Sequence, residues 1–449
     1  MRTVLGDKHP AANKASVKFP APSGPTSICV VGLGYIGLPT AGILADRGFQ
    51  VHGVDVRPEV VETINRGEIH IHEPQLDQLV SRVVGNGKLS ASLAPRPAEV
   101  FFICVPTPIN SAHLPDLTYV KQAARSIRPL VRPGNLVILE STSPPGTTEN
   151  IVARQAVSEE LTVGEDVFVA YCPERVLPGR ILIEVIENDR IVGGVTSACT
   201  ERAAQFFRSF IQGEVFSTTA VSAEIVKLAE NSYRDVNIAF ANELSMLADK
   251  FGVDPFEIVN LANRHPRVEI LHPGPGVGGH CISVDPWFLV SAAPEATSLI
   301  RTARTVNNHR PHHVVDQIER FAQENHVSTI GCLGLAYKAD VDDLRESPSL
   351  EIVRALRRRG SATVLACDPY LSASRFGEFP LHPLDEVLRE SELLVLLTDH
   401  KQFVGISREL LSQKLLVDTR GRWRSMLHDP AALADPTCKT PVASRRAAA

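Results

Sequence analysis

The sequence predicts an α/β protein built from two Rossmann-like, doubly wound domains joined by a long central helix. Near the N-terminus a short apolar strand runs into a GxGxxG turn, at residues 27–37. In the middle of the chain no Gly or Pro interrupts residues 221–251, a pattern typical of a long helix. A second series of short apolar segments between residues 328 and 420 indicates another set of buried parallel strands.

Composition places the chain among ordinary globular proteins and excludes several functional classes. Of its 449 residues 44% are hydrophobic and 22% charged, and the net charge of −5 gives no basic surface for nucleic acid. No apolar run reaches the roughly 18 residues of a membrane span, and no signal peptide is expected. The eight cysteines are scattered without metal-binding spacing, so we expect a cytoplasmic protein with no metal site and no disulfides. Residues 1–26 and 427–449 are expected to be disordered.

The glycine turn carries the pattern of a dinucleotide-binding site. Gly32, Gly34 and Gly37 stand between an apolar strand and a helix, where backbone N–H groups can receive a pyrophosphate. Asp55 ends the next apolar strand, and its carboxylate is placed to accept a ribose hydroxyl. This favours NAD over NADP, although Arg57 leaves NADP open.

Two further apolar strands lead into loops that carry hydroxyl side chains. Thr107 and Thr142 follow the strands that begin at Val100 and Leu136, at the edge where doubly wound folds bind ligands. A hydroxyl at either position could equally well cap a helix, so ligand binding and helix capping both remain open.

The predicted helix over residues 221–251 carries a polar row within an apolar element. Lys227, Asn231 and Arg234 are separated by four and three residues and therefore project from one helix face. Such a row is usually a solvated stripe, but the apolar residues around it indicate that much of this helix is buried. We expect the helix to end before Gly252 and to provide a dimer face.

The glycine-rich stretch over residues 273–287 is the strongest candidate for catalysis. Its glycines let the backbone approach a ligand closely, and Cys281 follows them directly, with Asp285 one helical turn further on. A buried structural cysteine is the common alternative, but a glycine-rich segment with a thiol and a carboxylate makes a poor core strand. We therefore predict that Cys281 is a nucleophile, which requires its thiolate form.

The second α/β segment offers weaker signals. Gly331 and Gly334 resemble an incomplete phosphate-binding turn after the strand that begins at Ser328. Lys338 and Arg345 flank a charged loop that is either solvated or placed to meet phosphates. Neither signal identifies a ligand by itself.

Taken together, these segments resemble the nucleotide-sugar 6-dehydrogenase family, which includes the UDP-glucose and GDP-mannose dehydrogenases. The resemblance extends in order from about residue 27 to residue 424. It rests on the motifs GLGYIGLP, VPTP, ESTSPPGTT, YCPERVLPGR, KLAENSYRDVNIAFANELS, NRHPRV, GPGVGGHC, GLAYKADVDDLRESPS and VDTRGRW.

The resemblance implies three domains, a cofactor and a reaction. The implied domains are an NAD-binding Rossmann domain at 27–215, a central helical dimerisation and catalytic region at 216–315 and a UDP-sugar-binding α/β domain at 316–426. The implied assembly is a homodimer or a higher homo-oligomer. The implied reaction is a four-electron oxidation of the sugar C6 alcohol to a carboxylate for surface polysaccharide precursors. It consumes two NAD and passes through a thiohemiacetal and a thioester on the cysteine.

Matching the family motifs also implies residue roles. The implied catalytic residues are Cys281 as nucleophile, Lys227 and Asn231 at the oxyanion, and Asp285 and Glu174 at the water. The implied NAD contacts are Gly32, Gly34, Tyr35, Ile36, Gly37, Asp55, Thr107, Thr142 and Arg345. The implied contacts with the nucleotide sugar are Arg175, Val176, Lys227, Asn231, Arg234, His265, Arg267, Gly278, Tyr337, Lys338 and Arg420, with His265 and Arg267 acting across the dimer.

Three of these segments, CPERVLPG, NSYRDVNIAFANE and ANRHPRV, resemble the branch that oxidises UDP-N-acetyl-D-mannosamine. The UDP-glucose branch has a glutamate where this chain has Pro178, which supports an acetamido sugar and leaves the hydrolytic base open. UDP-N-acetylglucosamine is the alternative substrate, because the two sugars differ at one stereocentre. A binding protein without turnover would require a broken set of catalytic residues, and a two-electron 3-hydroxyacid dehydrogenase would not need the cysteine of the GGHC motif.

Overall fold

The computed structural model describes residues 27–71, 73–177, 179–372 and 376–424. The segments 1–26 and 427–449, for which the sequence predicts disorder, lie outside these ranges, and so does Pro178. The chain divides into two compact units. The first contains the residues up to Pro108 together with Asp116–Lys227, and the second contains Ile109–Pro115 together with the residues from Leu228 onward.

Eight described strands form one sheet in the first unit. They are β1 (Ser27–Val31), β2 (Gln50–Val54), β3 (Leu89–Ser92), β4 (Val100–Ile103), β5 (Leu136–Leu139), β6 (Phe168–Tyr171), β7 (Arg190–Gly194) and β8 (Val215–Thr219). Their order is β3-β2-β1-β4-β5-β6-β7-β8, and neighbours are parallel except for β6 and β7. The strand order changes direction between β1 and β4, where doubly wound folds have their ligand-binding crevice.

Both faces of this sheet are buried. Ile28 and Val30 of β1 pack into one apolar cluster, whereas Cys29 and Val31 pack into another on the opposite side. This explains why the strands read as continuous apolar runs. The helices of this unit are α1 (Gly37–Asp46), α2 (Pro58–Asn65), α3 (Leu76–Gly85), α4 (Thr118–Ile127), α5 (Arg154–Ala156), α6 (Ile181–Glu187) and α7 (Ser197–Arg208), with a 3-10 turn at Arg128–Leu130 and a π-helical turn at Thr148–Ala153.

The long helix predicted for residues 221–251 is confirmed. Helix α8 (Ala220–Phe251) has 32 residues and is therefore about 48 Å long at 1.5 Å per residue. It ends where Gly252 adopts a left-handed φ of +67°, a conformation that glycine adopts without a steric penalty. It begins in the first unit and continues from Leu228 in the second.

The second unit contains its own parallel sheet, which confirms the second Rossmann-like domain. Its described strands are β9 (Thr329–Leu333), β10 (Thr363–Cys367), β11 (Leu393–Leu396) and β12 (Leu415–Asp418), in the order β10-β9-β11-β12. Its described helices are α9 (Pro255–Ala262), α10 (Asp285–Ala292), α11 (Ser298–Glu324), α12 (Pro348–Arg359), α13 (Leu384–Glu390), α14 (Lys401–Val404) and α15 (Arg408–Leu411). Across the described ranges, no helix combines the length and apolar character needed to cross a bilayer.

Candidate active site

Three glycines shape the turn between β1 and α1, each for a different reason. Gly32 has a φ of +94°, and a Cβ there would lie 2.4 Å from the carbonyl oxygen of Cys104. A Cβ at Gly37 would lie 1.8 Å from the carbonyl oxygen of Gly32. Gly34 faces open space, since no atom of the described chain lies within 4 Å of its Cβ position. The turn therefore offers a cradle beside Gly34 that fits a pyrophosphate.

Asp55 lies directly after β2 and faces this turn. Its Oδ2 accepts a hydrogen bond from the N–H of Leu33 at 3.2 Å, and its Oδ1 accepts from the N–H and Nε of Arg57 at 3.1 and 3.2 Å. Asp55 is buried, whereas the side chain of Arg57 is 51% exposed. Because Arg57 is already paired, the site suits a ribose hydroxyl better than a 2′-phosphate. Tyr35 and Ile36 are partly exposed in the same turn.

Side chains tie together the loops that follow β4 and β5. The hydroxyl of Thr107 donates to the carbonyl oxygen of Thr142 at 2.6 Å. The Ser141 hydroxyl accepts from the N–H of Val105 at 2.9 Å and donates to its carbonyl oxygen at 2.7 Å. The two predicted threonines therefore lie side by side at the carboxyl edge of the sheet, and Thr107 bonds to the neighbouring loop instead of capping a helix.

Glu174, predicted to act on water, has hydrogen bonds on both carboxylate oxygens. Its Oε2 pairs with Nη1 of Arg190 at 2.9 Å, and its Oε1 accepts from the N–H of Arg175 at 2.7 Å. The side chains of Glu174 and Arg190 are only 5% and 3% exposed. Glu174 is thus a fixed, ion-paired carboxylate at the start of the segment that carries Arg175 and Val176.

A second buried carboxyl group near Glu174 was missed by the sequence analysis. Oε2 of Glu140 accepts from the hydroxyl of Thr40 at 3.2 Å and from Sγ of Cys104 at 3.0 Å. Burial and, next, the negative charge of Glu174 raise the pKa of Glu140 to about 7. The only available signal was the position of Glu140 at the end of an apolar strand, within the ESTSPPGTT motif.

Cys281 differs from the other cysteines of the described ranges, which are buried or half-buried, because it is exposed. Burial raises the pKa of Cys29 to about 11 and that of Cys332 and Cys367 to about 12. Those three groups stay protonated at neutral pH. Cys281, in the loop before α10, is therefore the described thiol that a substrate can reach most easily.

The start of α10 brings two predicted catalytic residues next to the cysteine loop. The N–H of Asp285 donates to the carbonyl oxygen of Cys281 at 2.8 Å. Nδ2 of Asn231, on α8, donates to Oδ2 of Asp285 at 2.5 Å, and both side chains are buried. Within the second unit the structure thus groups Cys281, Asp285 and Asn231. Lys227 precedes Asn231 by one turn of α8 and is half-buried.

The glycine-rich loop packs against a segment that contains two predicted ligand residues. A Cβ at Gly278 would lie 2.6 Å from the side chain of Tyr337, so only glycine fits there. The N–H of Gly279 donates to the carbonyl oxygen of Arg345 at 3.0 Å. The guanidinium of Arg345 pairs with both carboxylate oxygens of Asp343, at 2.6 to 3.1 Å. The charged loop is thus folded onto the glycine-rich loop.

Arg420 lies at the other end of the glycine-rich loop. Its Nη1 is 2.7 Å from where a Cβ of Gly274 would be, and its Nε donates to Asp399 at 3.0 Å. The remaining predicted sugar contacts in the second unit are exposed side chains, namely Arg234, His265, Arg267 and Lys338. Of these, His265 and Arg267 are adjacent, because the N–H of Arg267 donates to Nδ1 of His265 at 3.3 Å.

The second glycine turn differs from its prediction. Gly331 lies inside β9, so only Gly334, with a φ of +96°, belongs to the turn. The N–H groups of Leu335 and Ala336 both donate to Oδ2 of Asp368, at 2.8 and 3.1 Å. In the second turn a side chain of the protein thus accepts from two backbone N–H groups, whereas in the first turn Asp55 accepts from one, so the second turn leaves fewer donors for a phosphate.

A buried ion pair lies behind the cysteine loop and was not predicted from the sequence. Oδ1 of Asp235 lies 2.6 Å from Nη1 of Arg304, and both side chains are almost fully buried. The same Nη1 reaches the carbonyl oxygen of Ile282 at 3.5 Å. An acid on the apolar helix α8 needs a partner, but the partner is 69 residues away and no local pattern identifies it.

Three family models match successive parts of the chain. The UDP-glucose/GDP-mannose dehydrogenase family is represented by its NAD binding domain at residues 26–211, its central domain at 221–309 and its UDP binding domain at 331–425. Together the three models cover most of the chain in the expected order.

Individual relatives are similar over nearly their whole length. The chain is 49% identical over 406 residues to an NDP-N-acetyl-D-galactosaminuronic acid dehydrogenase of Ralstonia nicotianae, covering 88% of this chain and 96% of the relative. It is 49% identical over 416 residues to the UDP-N-acetyl-D-mannosamine dehydrogenase of Escherichia coli, covering 89% and 99%. Among solved structures, the UDP-D-ManNAc dehydrogenase of Pyrococcus horikoshii matches with 41% identity and a TM-score of 0.80, covering 88% of this chain and 96% of that one. The UDP-N-acetyl-mannosamine dehydrogenase of Staphylococcus aureus matches with 40% identity and a TM-score of 0.81, covering 88% and 95%.

Proposed function

The chain belongs to the UDP-glucose/GDP-mannose dehydrogenase family of NAD-dependent nucleotide-sugar dehydrogenases, and we propose that it oxidises UDP-N-acetyl-D-mannosamine at C6 to the uronate. The observation that carries this proposal is the exposed Cys281, whose carbonyl oxygen accepts from the N–H of Asp285, the buried partner of Asn231. A two-electron dehydrogenase has no need of such a thiol. A four-electron dehydrogenase uses it to hold the aldehyde between the two oxidations.

The chemistry at Cys281 follows from this arrangement. NAD, bound at the turn of Gly32 and Gly34, supplies the hydride acceptor for both oxidations. The Cys281 thiolate adds to the C6 aldehyde to form a thiohemiacetal, and the sulfur stays attached in the thioester. Water attacks the thioester, which releases the carboxylate and frees the thiol. The N–H of Asp285 holds the carbonyl of Cys281 and so fixes the loop that presents the thiol.

Four further residues are assigned to the charges and protons of this reaction. The Lys227 ammonium stabilises the negative oxygen on C6 in the tetrahedral species. The amide nitrogen of Asn231 bonds to Asp285 and carries a second N–H, which we assign to the same oxygen. Asp285 accepts the proton of the attacking water. Glu174, which is held by Arg190 and by the N–H of Arg175, is assigned to orienting the attacking water.

The remaining assignments follow the family motifs and the matched NAD and UDP binding domains. The proposed cofactor contacts are Tyr35, Ile36, Gly37, Asp55, Thr107, Thr142 and Arg345. The proposed contacts with the nucleotide sugar are Arg175, Val176, Arg234, His265, Arg267, Gly278, Tyr337, Lys338 and Arg420.

The proposed substrate carries an acetamido group. Support comes from the CPERVLPG and NRHPRV segments and from the Escherichia coli relative. The equally similar Ralstonia relative makes the nucleotide-linked N-acetylgalactosamine series the second candidate. In either case a pocket that hydrogen-bonds the amide disfavours UDP-glucose, because a hydroxyl would leave buried polar groups unpaired.

The proposal is tested by counting the NADH formed per sugar across a panel of UDP- and GDP-sugars that includes the mannosamine, galactosamine and glucosamine N-acetyl compounds. Two NADH per UDP-N-acetylmannosamine, with the highest kcat/KM of the panel, is the expected result. A preference for the galactosamine compound would establish the second candidate. One NADH per sugar, or faster turnover of UDP-glucose, would contradict the proposal.

A further inference from the structure

Glu73 lies outside every motif assigned so far. It is nevertheless almost fully buried, and both of its carboxylate oxygens accept hydrogen bonds. It stands just before α3 and is 3% exposed. Its Oε2 accepts from the N–H of Gly179 and its Oε1 from the N–H of Ile181, each at 2.9 Å. Hydrogen bonds to an ionised carboxylate are among the stronger ones in proteins. Glu73 therefore holds a piece of backbone that is 106 to 108 residues away in the sequence.

The backbone that Glu73 holds belongs to the segment formed by residues 174–177 and 179–181, in which two further N–H groups also donate to carboxylates. The N–H of Arg175 donates to Glu174, and the N–H of Leu177 donates to Glu184 at 2.7 Å. Glu174 is itself fixed by the buried guanidinium of Arg190. Every second N–H along this segment, from Arg175 to Ile181, therefore ends on a carboxylate.

Glu73 also replaces a missing helix cap. Helix α6 begins at Ile181, and the side chain of the preceding residue, Arg180, makes no capping hydrogen bond. The first N–H groups of a helix need acceptors from outside the helix, and for α6 Glu73 supplies one from a different part of the fold. Glu73 thus binds the N–H at the first residue of α6, while Glu184 binds the N–H of Leu177.

We propose that Glu73 is a positioning residue for the nucleotide sugar. By holding the backbone at Gly179 and Ile181, it fixes the conformation in which Arg175 and Val176 meet the nucleotide sugar, and it acts through Arg175 and Val176 without touching the substrate. This inference rests on the proposed function, in which Arg175 and Val176 contact the nucleotide sugar. It assigns no role to Glu73 in the oxidation itself.

The test is the variant Glu73→Gln, assayed with the sugar nucleotide that the wild-type protein oxidises best. Gln keeps one acceptor but turns an amide N–H toward one of the two backbone donors. The loss of one charge-assisted hydrogen bond typically corresponds to a roughly 10-fold change in an equilibrium constant. We expect KM for the sugar nucleotide to rise about 10-fold, while kcat, KM for NAD and the two NADH per sugar stay near the wild-type values.

Two further variants give the test its controls. Glu184→Ala removes the acceptor of the Leu177 N–H in the same segment and should also raise KM for the sugar nucleotide. Glu68→Gln changes an exposed glutamate that pairs with Arg66 at the surface, so both kinetic constants should be unchanged.

A merely structural role predicts a different pattern. It would reduce the fraction of active protein, so that kcat and the melting temperature fall while KM for the sugar nucleotide stays the same. That outcome overturns the proposal, and so does any result in which Glu73→Gln leaves this KM unchanged. If the wild type forms no NADH with any sugar, the proposed function fails, and calorimetric binding of UDP-N-acetylmannosamine decides the role of Glu73 on its own. Weaker binding to Glu73→Gln supports that role. Equal binding, or no binding to the wild type, refutes it.

Discussion

Cys281 is the residue that separates the four-electron reaction from a two-electron one. The change Cys281→Ser keeps the shape of the side chain but replaces the thiolate with a hydroxyl that is hardly ionised at neutral pH. We expect NAD binding to persist and uronate release to fall by about 10³-fold or more. Product analysis after a single turnover measures this, and mass spectrometry of the peptide containing residue 281 should detect any adduct that accumulates.

A second thiol provides the control for this experiment. Cys332 is fully buried in β9, and its removal in Cys332→Ala should leave two NADH per sugar. If Cys281→Ser also forms two NADH per sugar at the wild-type rate, the nucleophile lies at another residue and the glycine-rich loop is structural.

Asp55 sets the choice between NAD and NADP in the proposed cofactor site. Its carboxylate would repel a 2′-phosphate. It also forms an ion pair with the guanidinium of Arg57, which is then not available to bind that phosphate. The change Asp55→Ala removes the repulsion and releases the guanidinium, so the preference for NAD in kcat/KM should narrow by about 10-fold or more, the effect of roughly 1.4 kcal/mol. The double variant Asp55→Ala/Arg57→Ala should lose any increase in kcat/KM for NADP that Asp55→Ala shows. Equal kcat/KM for both cofactors in the wild type would contradict the assignment.

At the scale of elements, the ends of β4, β5 and β6 enclose a carboxyl group that titrates near neutrality. Glu140 faces Cys104, Glu174 and Arg190, and its burial raises its pKa from 4.5 to about 7. A carboxyl group with a raised pKa in the folded state stabilises the fold fully below its unfolded pKa and loses that contribution as pH rises through the folded value. The first unit should therefore become less stable between about pH 5 and pH 8.

The change Glu140→Gln tests this expectation. It removes the titration and keeps an oxygen for the hydroxyl of Thr40 and the thiol of Cys104. Relative to the wild type, its free energy of unfolding should rise by roughly 1 to 3 kcal/mol between pH 5 and pH 8, since one pKa unit corresponds to about 1.4 kcal/mol. Denaturant titrations at both pH values measure the difference. The exposed control Glu160→Gln should follow the wild type, and a parallel profile for Glu140→Gln would refute the titration.

The elements that sequence could predict are those with a local cause. The glycine turn at Gly32 follows from a strand, three glycines and an acid within one short segment. Helix α8 follows from the absence of Gly and Pro up to Gly252. Gly331 was wrongly predicted to belong to a turn, because a strand glycine that makes room for Ser391 cannot be distinguished in the sequence from a turn glycine.

The parts of the site that sequence could not predict depend on partners far along the chain. Arg304 neutralises Asp235 from 69 residues away, and Glu73 holds Ile181 from 108 residues away. The role of Glu174 shows the same limit, because its position was predicted but its buried partner Arg190 was not. Local sequence patterns locate such side chains, but only the folded chain shows which residues they pair with.

At the scale of the whole molecule, helix α8 leaves a row of large apolar side chains uncovered. Tyr233, Phe240 and Leu247 are 71%, 56% and 51% exposed, and they recur every seven residues along one side of the helix. Phe251, at the helix end, is 70% exposed. Large apolar side chains exposed along one side of a helix are typical of a protein–protein interface, which supports the dimer face predicted for this helix.

The change Phe240→Glu tests that face. A charge in the middle of the row must be desolvated if a second copy packs there, so the variant should be monomeric where the wild type is dimeric or larger. Light scattering coupled to size-exclusion chromatography measures the mass, and Tyr119→Glu, an exposed aromatic on α4, is the control that should leave it unchanged. Because His265 and Arg267 are proposed to act across the dimer, the monomeric variant should lose sugar oxidation while still binding NAD. A Phe240→Glu variant that keeps the dimeric or larger mass of the wild type would place the contact between copies on another surface. A wild type that is itself monomeric would contradict the predicted dimer. Full turnover by a monomeric Phe240→Glu would show that each chain completes its own sugar site.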